Sequence, residues 1–407
     1  MRILAISTLF PTPDMPNHGV FVYNRLNAMA SEGAEVVVIN PLPWSPVHRL
    51  FTKYSGIKNT PSYRKSEALD IYHPRYFSLP GVMKDIEADT AKKAIMKLAA
   101  HLKSHHGEFD HIDVHWTYPD LPAALALAKL WNIPCSLTLR GMEAFYQNEP
   151  DNRESTISNA LSHVDHVISL SKEMADHAQN IAGTGHKTTI IRNGVNTERF
   201  KYIAKEVARA KLSLPSDRTI LLGVGSLIKR KGFHHVVKAL CKLAETCPSR
   251  NFHYHILGST GLEGDFETEL RKLAIDLGIG ERVHFEGAIP NGDLPYWYNA
   301  ADLFCLSSFG EGSPNVLTEA LSCGCPAVAS NVGSVMEIMK SEENLGTVID
   351  SQEHVSDSDA GEKWAKAINA TVMFESREER SLAMGKYTWQ WCAKKSISVL
   401  NSLSDNE

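Results

Sequence analysis

Short apolar runs alternate along this chain with longer stretches whose apolar positions recur at helical spacing. The run RILAIS at 2–7 suits a strand buried on both faces of a parallel sheet. A loop rich in Pro, Asn and Gly fills 11–19. An amphipathic helix over 20–31 follows, then Gly33 as its stop and a strand VVVI at 36–39. That succession is a βαβ opening. A helix over 86–103 is expected to lead into HIDVHW at 111–116, and a second, over 119–131, into IPCSLTL at 133–139. HVISL at 166–170 and TTIIR at 188–192 continue the alternation. Between Pro41 and Met83 the pattern breaks. Prolines and aromatics crowd the stretch without a period, so it is expected to be irregular, its aromatics serving either packing or contact with an acceptor.

Asn193-Gly194 is a turn signal, and the polar stretch 196–216 reads as a linker with one short helix. At Thr219 the alternation restarts: TILLGVG at 219–225, a helix over 233–245, HYHILG at 253–258, RVHFEG at 282–287, LFCLSS at 303–308 and PAVAS at 326–330. The fold class is therefore α/β, with two doubly wound parallel-sheet domains over 1–200 and 201–375 and a helical segment over 376–407 around Trp389, Trp391 and Ile397.

A chain of 407 residues has ample sequence for two such cores. Its formal charge of -5 supplies no basic field, which argues against a dedicated nucleic-acid binder. The seven cysteines are odd in number and lack framework spacing, and are expected to be reduced thiols of a cytoplasmic protein. The N-terminal apolar run is broken by Pro11, too early for a secretory signal, and the apolar segment 121–131 is too short to span a bilayer. Peripheral contact with the inner face of a membrane is compatible with this pattern.

Candidate chemistry centres on 309–330, FGEGSPNVLTEALSCGCPAVAS. Glu311 precedes Gly-Ser-Pro-Asn, Pro314 suits a first helical turn, and Leu317, Ala320 and Leu321 recur at helical spacing before Gly324 and Pro326 stop the run. Glu319 then lies little more than one turn inside, so both carboxylates border a helix N-terminus, which favours a phosphate. Phosphate on the dipole and hydroxyls on the carboxylates would fit a nucleotide-sugar; the alternative is an ordinary amphipathic helix with a solvated Glu. After the strand at 219–225, Lys229-Arg230-Lys231-Gly232 puts cations at the mouth of a βα loop, well placed for an anion. The turn Gly223-Val224-Gly225-Ser226 has Ile228 where a dinucleotide fingerprint needs its third glycine, so nicotinamide binding is discounted.

His115 ends an apolar strand, where it serves either structure or an active site, whereas His253 and His255 read as core or edge residues. Asp357-Ser358-Asp359 enters a helix rather than ending a strand and reads as an N-cap cluster; Cys323-Gly-Cys325 lacks a second ligand pair. Neither a metal nor any other cofactor is expected.

These residues resemble the retaining GT-B glycosyltransferases, the large family that includes sucrose and phosphatidylinositol mannosyl transferases. The resemblance runs through Glu311, Glu319-Ala320, Cys323-Gly324 and Pro326-Ala327-Val328-Ala329. It extends to Asn17-His18-Gly19-Val20, His115, IIRNGVNTERF at 190–200, the turn from Val224 to Gly232 and VGSVMEI at 332–338. It implies two Rossmann-like domains facing an interdomain cleft, the first binding the acceptor and the second the donor, with the C-terminal helix crossing back to the first. It also implies metal-independent transfer from a nucleoside diphosphate sugar to a glycan or lipid-linked acceptor, as in surface polysaccharide or glycolipid synthesis. Glu311 would contact the donor sugar, Glu319 the ribose, and Lys231 with backbone N–H groups of Asn315, Val316 and Leu317 the diphosphate. Gly19 would let a loop approach the phosphate without a Cβ. His115 would touch the transferred sugar or the acceptor. Where the family carries an arginine this chain has Ser226, so Arg230 is expected to replace it; Arg140-Gly141-Met142-Glu143 stands in place of His-Gly-x-Asp and puts Arg140 and Glu143 on the acceptor side. An isomerase of the same fold would change the sugar without a second substrate, and a non-catalytic binding module would turn nothing over.

Overall fold

Ile3, Leu4, Ala5 and Ile6 are fully buried, as a strand covered on both faces requires, and β1 (Arg2–Ile6) lies inside an eight-stranded sheet. The structure, a computed structural model, describes residues 1–47, 57, 59–79, 81–147, 152–260, 264–290, 292–350 and 357–404. The chain forms two units, Met1–Gly194 with Trp389–Glu407, and Val195–Thr388.

In the first unit the described strands are β1, β2 (Glu35–Ile39), β3 (Leu42–Trp44), β4 (Tyr63–Ser66), β5 (Leu69–Tyr72), β6 (Arg75–Phe77), β7 (His111–Val114), β8 (Cys135–Thr138), β9 (His166–Ser169) and β10 (Thr188–Ile190). The large sheet runs β10-β9-β8-β7-β1-β2-β5-β4, parallel except where β4 turns back on β5. Strand order reverses direction at β1 and β7, so the loops leaving their carboxyl ends diverge there and open a crevice.

The stretch expected to be irregular instead contributes β3 to β6. β4 (YRKS) is polar, and its outer side faces solvent, so no apolar alternation announces it. The β4–β5 turn places Glu67 at a φ of 51°, and β3 pairs with β6 as a separate ribbon. The single helix expected over 86–103 is two, Glu87–Met96 and Ala99–His106. The backbone tightens at Leu98, whose N–H donates to Ile95 O, and the bend buries Ile95 and Leu102 in the same core.

The helix Trp389–Ser404 completes this unit by packing on Val20–Ser31. Buried Arg25 donates from Nε and Nη2 to Ser396 Oγ at 3.1 and 2.8 Å. The returning segment therefore begins at Trp389 rather than at 376. Residues 376–388 stay in the second unit, where the helix Arg377–Met384 packs on Asn315–Ser322 and Arg380 Nη1 donates to Gly324 O at 2.7 Å.

The second unit has one parallel sheet built from β11 (Thr219–Val224), β12 (Phe252–Leu257), β13 (Val283–Gly287), β14 (Leu303–Leu306), β15 (Ala327–Ser330) and β16 (Gly346–Ile349), in the order β13-β12-β11-β14-β15-β16. Its direction reverses between β11 and β14. The stretch 196–216 is not a free linker. Arg209, on the helix Lys205–Lys211, is buried, donating to Ala300 O at 3.0 Å and pairing with Asp302 at 2.7 Å.

His253 and His255 are buried on β12, where both rings stack on His284 of β13 and His255 Nδ1 lies 2.7 Å from Glu286. Asp357 opens the helix Asp357–Thr371, while the side chains of Asp357 and Ser358 lie outside the described residues. Among the described residues no group of His, Cys, Asp and Glu is placed to hold a metal ion.

Candidate active site

The two loops that leave β11 and β14 are stitched together across the switch point of the second unit. Phe309 N–H donates to Arg230 O at 2.8 Å, Ser307 Oγ to Lys231 O at 2.9 Å, and Arg230 Nη1 to Gly310 O at 2.8 Å. Gly232 has a φ of 65°, and a Cβ there would stand 2.0 Å from Ser307 O, so only glycine permits this approach. The stitching delivers Lys231 Nζ to 2.6 Å from Glu311 Oε1, with side chains only 18% and 12% exposed. Ser308 Oγ donates to the same oxygen at 2.6 Å.

The segment after β15 supports Glu311 from below. Ser334 N–H donates to Gly312 O at 3.0 Å, and a Cβ on Gly333 would meet Glu311 O at 2.3 Å. The VGSVMEI element at 332–338 thus forms the floor of the Glu311 loop.

The helix that follows is Asn315–Ser322, with Pro314 at its N-cap rather than in its first turn. Because Pro314 is the cap, its carbonyl accepts the Leu317 N–H at 3.0 Å. Of the three N–H groups expected to meet a diphosphate, that of Leu317 is engaged by the helix, and Asn315 and Val316 open the helix that follows the Glu311 loop in sequence. Ser226 is exposed on the loop after β11.

Glu319 sits one turn further along, and Tyr298 Oη donates to its Oε2 at 3.0 Å. Burial lifts its carboxyl to about 7, against the opposing pull of the Tyr298 hydrogen bond and the Arg199 charge. Since the unfolded chain releases this proton near 4.5, stability from this group is complete below that pH and declines as pH rises to about 7. Glu319→Gln removes the dependence. Its melting temperature relative to wild type is expected to rise by roughly 2–6 °C between pH 4.5 and 7 and then level off, as thermal unfolding in matched buffers would show.

In the first unit, Gly19 caps the helix Val20–Ser31 with a φ of 64°. A Cβ there would stand 2.4 Å from the Leu9 carbonyl, so the chain's own backbone already requires glycine. Asp120 fixes the same loop by accepting from Thr8 N at 2.6 Å and Thr8 Oγ1 at 3.1 Å.

His115, expected to face a ligand, has no exposed surface. Arg140 Nη2 lies 2.6 Å from His115 Nδ1. A guanidinium only donates, so Nδ1 accepts and the ring proton sits on Nε2, which lies 3.2 Å from Asp113 Oδ2. Burial drives the ring down to about 4, keeping it neutral at physiological pH. The reason for its inward position is thus a buried Arg140–His115–Asp113 chain, extended by Arg140 Nη1 donating to Asn193 Oδ1 at 3.1 Å. Glu143 lies in the short 3₁₀ helix Met142–Phe145 that follows Arg140, and its side chain is outside those described.

Sequence reasoning missed Ser308 and Tyr298, which hold the two carboxylates. Ser308 carried a signal, a small polar residue directly beyond an apolar strand; Tyr298 carried none, because it lies in an apolar helix far from the Glu319 stretch.

Two Rossmann-like units with a cation and carboxylate at a βα switch point define a GT-B protein, and comparison with known proteins agrees. Over its whole length the chain is similar to sucrose-phosphate synthase of Thermosynechococcus elongatus, with a TM-score of 0.71 at 20% identity and full coverage of both chains. It is likewise similar to HepE of Anabaena, with a TM-score of 0.71 at 17% identity over 99% of this chain and 100% of that one. Residues 204–384 match the glycosyl transferases group 1 family and residues 18–199 match glycosyltransferase family 4. The chain belongs to the group 1/family 4 glycosyltransferases. TuaC of Bacillus subtilis, named for teichuronic acid biosynthesis, is 26% identical over 85% of each chain. A D-inositol 3-phosphate glycosyltransferase of Xylanimonas cellulosilytica is 24% identical over 95% of this chain and 92% of that one.

Proposed function

We propose that this glycosyltransferase moves a sugar, of the hexosyl type, from a nucleoside diphosphate sugar to a hydroxyl acceptor, with retention of anomeric configuration and without a metal. The observation that carries the reading is the Lys231–Glu311 pair, 2.6 Å apart on the loops that leave the carboxyl ends of β11 and β14, the second of which leads into the helix Asn315–Ser322. In this reading the diphosphate takes the Lys231 ammonium from Glu311 and lies toward the helix N-terminus, which accepts the charge of the leaving group. Lys231 supplies the positive charge that a divalent ion would otherwise provide. Glu311, released from Lys231 but still held by Ser308, turns its carboxylate to the donor sugar. Glu319 receives the ribose hydroxyls, and their donation favours its ionised form.

The donor class has a parallel in HepE, whose structure with UDP-glucose shares the fold. The names of TuaC and of the D-inositol 3-phosphate glycosyltransferases suggest a polyol or glycan acceptor, and surface polysaccharide or glycolipid synthesis as the setting. With the departing phosphate taking the acceptor proton on the face where the sugar leaves, no separate base is required. Glu143, after β8 in the first unit, is assigned to the acceptor side; Arg140, buried against His115 and Asn193, would act there only by positioning them.

The test is turnover of a panel of α-linked nucleotide sugars with polyol and glycan acceptors in EDTA, the product anomer read by proton NMR. An α-linked product at an EDTA-insensitive rate is expected. A β-linked product, or strict dependence on added Mn²⁺, would contradict the proposal, and a changed sugar without any acceptor would favour an isomerase.

A further inference from the structure

The loop 7–19 leaves β1 at the switch point of the first unit, and apart from turns and a bridge between Thr12 and Met15 it has no regular structure of its own. Its carbonyl groups must therefore find partners elsewhere. Asn40, fully buried at the end of β2, donates from Nδ2 to Ser7 O at 2.8 Å and to Thr8 O at 3.4 Å, while Asp120 holds Thr8 from its N–H side. Further along, Arg64 Nη2 donates to Pro11 O at 2.7 Å.

What orients Asn40 is a relay that starts on the polar strand β4. Arg64 Nε donates to His73 Nε2 at 3.2 Å, and His73 Nδ1 lies 3.0 Å from Asn40 Oδ1. A guanidinium only donates, so Nε2 accepts, the ring proton sits on Nδ1, and Asn40 turns its oxygen to the ring and its amide to the loop. Burial, with the charges of Arg64 and Arg75, drives the His73 ring down to about 4, so the relay keeps this direction at physiological pH. The same hairpin meets the far end of the loop: Tyr23 Oη, on the helix that Gly19 caps, lies 3.2 Å from Ser66 Oγ. The start, middle and end of one loop are thus held from β4 and the residue after β5.

Packing alone does not call for this arrangement. Apolar side chains would close the same edge at lower desolvation cost, whereas a fully satisfied buried network fixes one geometry. The geometry fixed here is that of a loop lining the crevice where ligands of open parallel sheets bind.

We propose that the β4–β5 hairpin serves glycosyl transfer, with Arg64, His73 and Asn40 as positioning residues that pre-form the loop 7–19. The effect on turnover rests on the transfer reading above, whereas the state of the loop is measured without substrate.

Hydrogen–deuterium exchange of the full chain, read by mass spectrometry on peptides from both units, follows the loop directly. Arg64→Ala and His73→Phe are expected to exchange about tenfold faster over 7–19 and to leave the strands of the large sheet as protected as in wild type. His73→Gln keeps an acceptor for Arg64 and a donor for Asn40, so it should restore most of the protection. Tyr63→Phe removes a bond to Asp70 on the same hairpin but outside the relay, and should exchange like wild type. With the donor and acceptor found by the panel above, kcat is expected to fall about tenfold or more in Arg64→Ala and His73→Phe, with a smaller change in KM. Unchanged loop protection in these two variants would overturn the proposal. So would faster exchange spread evenly through the unit, which marks a brace of the fold alone, or a loosened loop at full kcat.

Discussion

Lys231→Ala is expected to lose about 10²–10³-fold in kcat/KM for a nucleoside diphosphate sugar, the largest effect of any single substitution in the second unit. The ammonium is the charge brought to the switch point by the stitched loops, and it sits 2.6 Å from Glu311 with little exposure. Arg230 cannot take over without unmaking the loop, because its Nη1 braces Gly310 O at 2.8 Å. On the proposed mechanism the loss should fall on both KM and kcat, since a leaving diphosphate would be bound in the ground state and gain charge in the transition state. Stability should fall as well. Removing one partner of a largely buried pair costs about 3–5 kcal/mol, so circular dichroism and melting of the variant accompany its kinetics. Lys231→Arg is also expected to be impaired. The lysine stem passes close over Gly225, where a Cβ would stand 3.5 Å from Lys231 Cδ, and a planar guanidinium would not retrace that path.

Glu311→Gln should separate the two functions that meet at this pair. The amide keeps the shape and still accepts from Ser308, whose Oγ lies 2.6 Å away, but it no longer offers a charge to Lys231 or to the donor sugar. Turnover is expected to fall about 100-fold in kcat. Affinity for a free nucleoside diphosphate should hold or improve, because Lys231 no longer has to leave a carboxylate to meet the phosphate. Steady-state kinetics alongside calorimetric titration of the diphosphate measure the two effects. Equal losses in both would place Glu311 with the phosphate rather than with the sugar.

The parts of this site legible in the sequence are those fixed by local chain chemistry. Buried parallel strands are continuous apolar runs, so the β1, β11 and β14 positions follow from composition, and with them the loops at the switch point. Gly232, Gly324 and Gly333 stand where backbone meets backbone, which makes the motif spacing rigid. What the sequence did not disclose depends on distant partners. Nothing near Glu319 points to Tyr298, and nothing near His115 shows that Arg140 and Asp113 will turn it inward. The short polar β4 forms because β5 offers an open edge, a tertiary cause that a hydrophobic pattern cannot carry. Pro314 stands just outside the helix rather than in its first turn, enough to commit the Leu317 N–H to the helix.

Lys231 and the N-terminus of the helix Asn315–Ser322 are proposed to bind the diphosphate of a nucleotide sugar. The most direct measurement is the melting temperature of wild type and of Lys231→Ala with each nucleoside diphosphate at saturating concentration. Ligand that binds only the folded state stabilises by mass action, worth about 2.7 kcal/mol at a hundredfold excess over Kd. At least one diphosphate is expected to raise the wild-type melting temperature by several degrees and to leave Lys231→Ala unmoved. An equal rise in both proteins, or none with any diphosphate, would contradict a diphosphate site at Lys231.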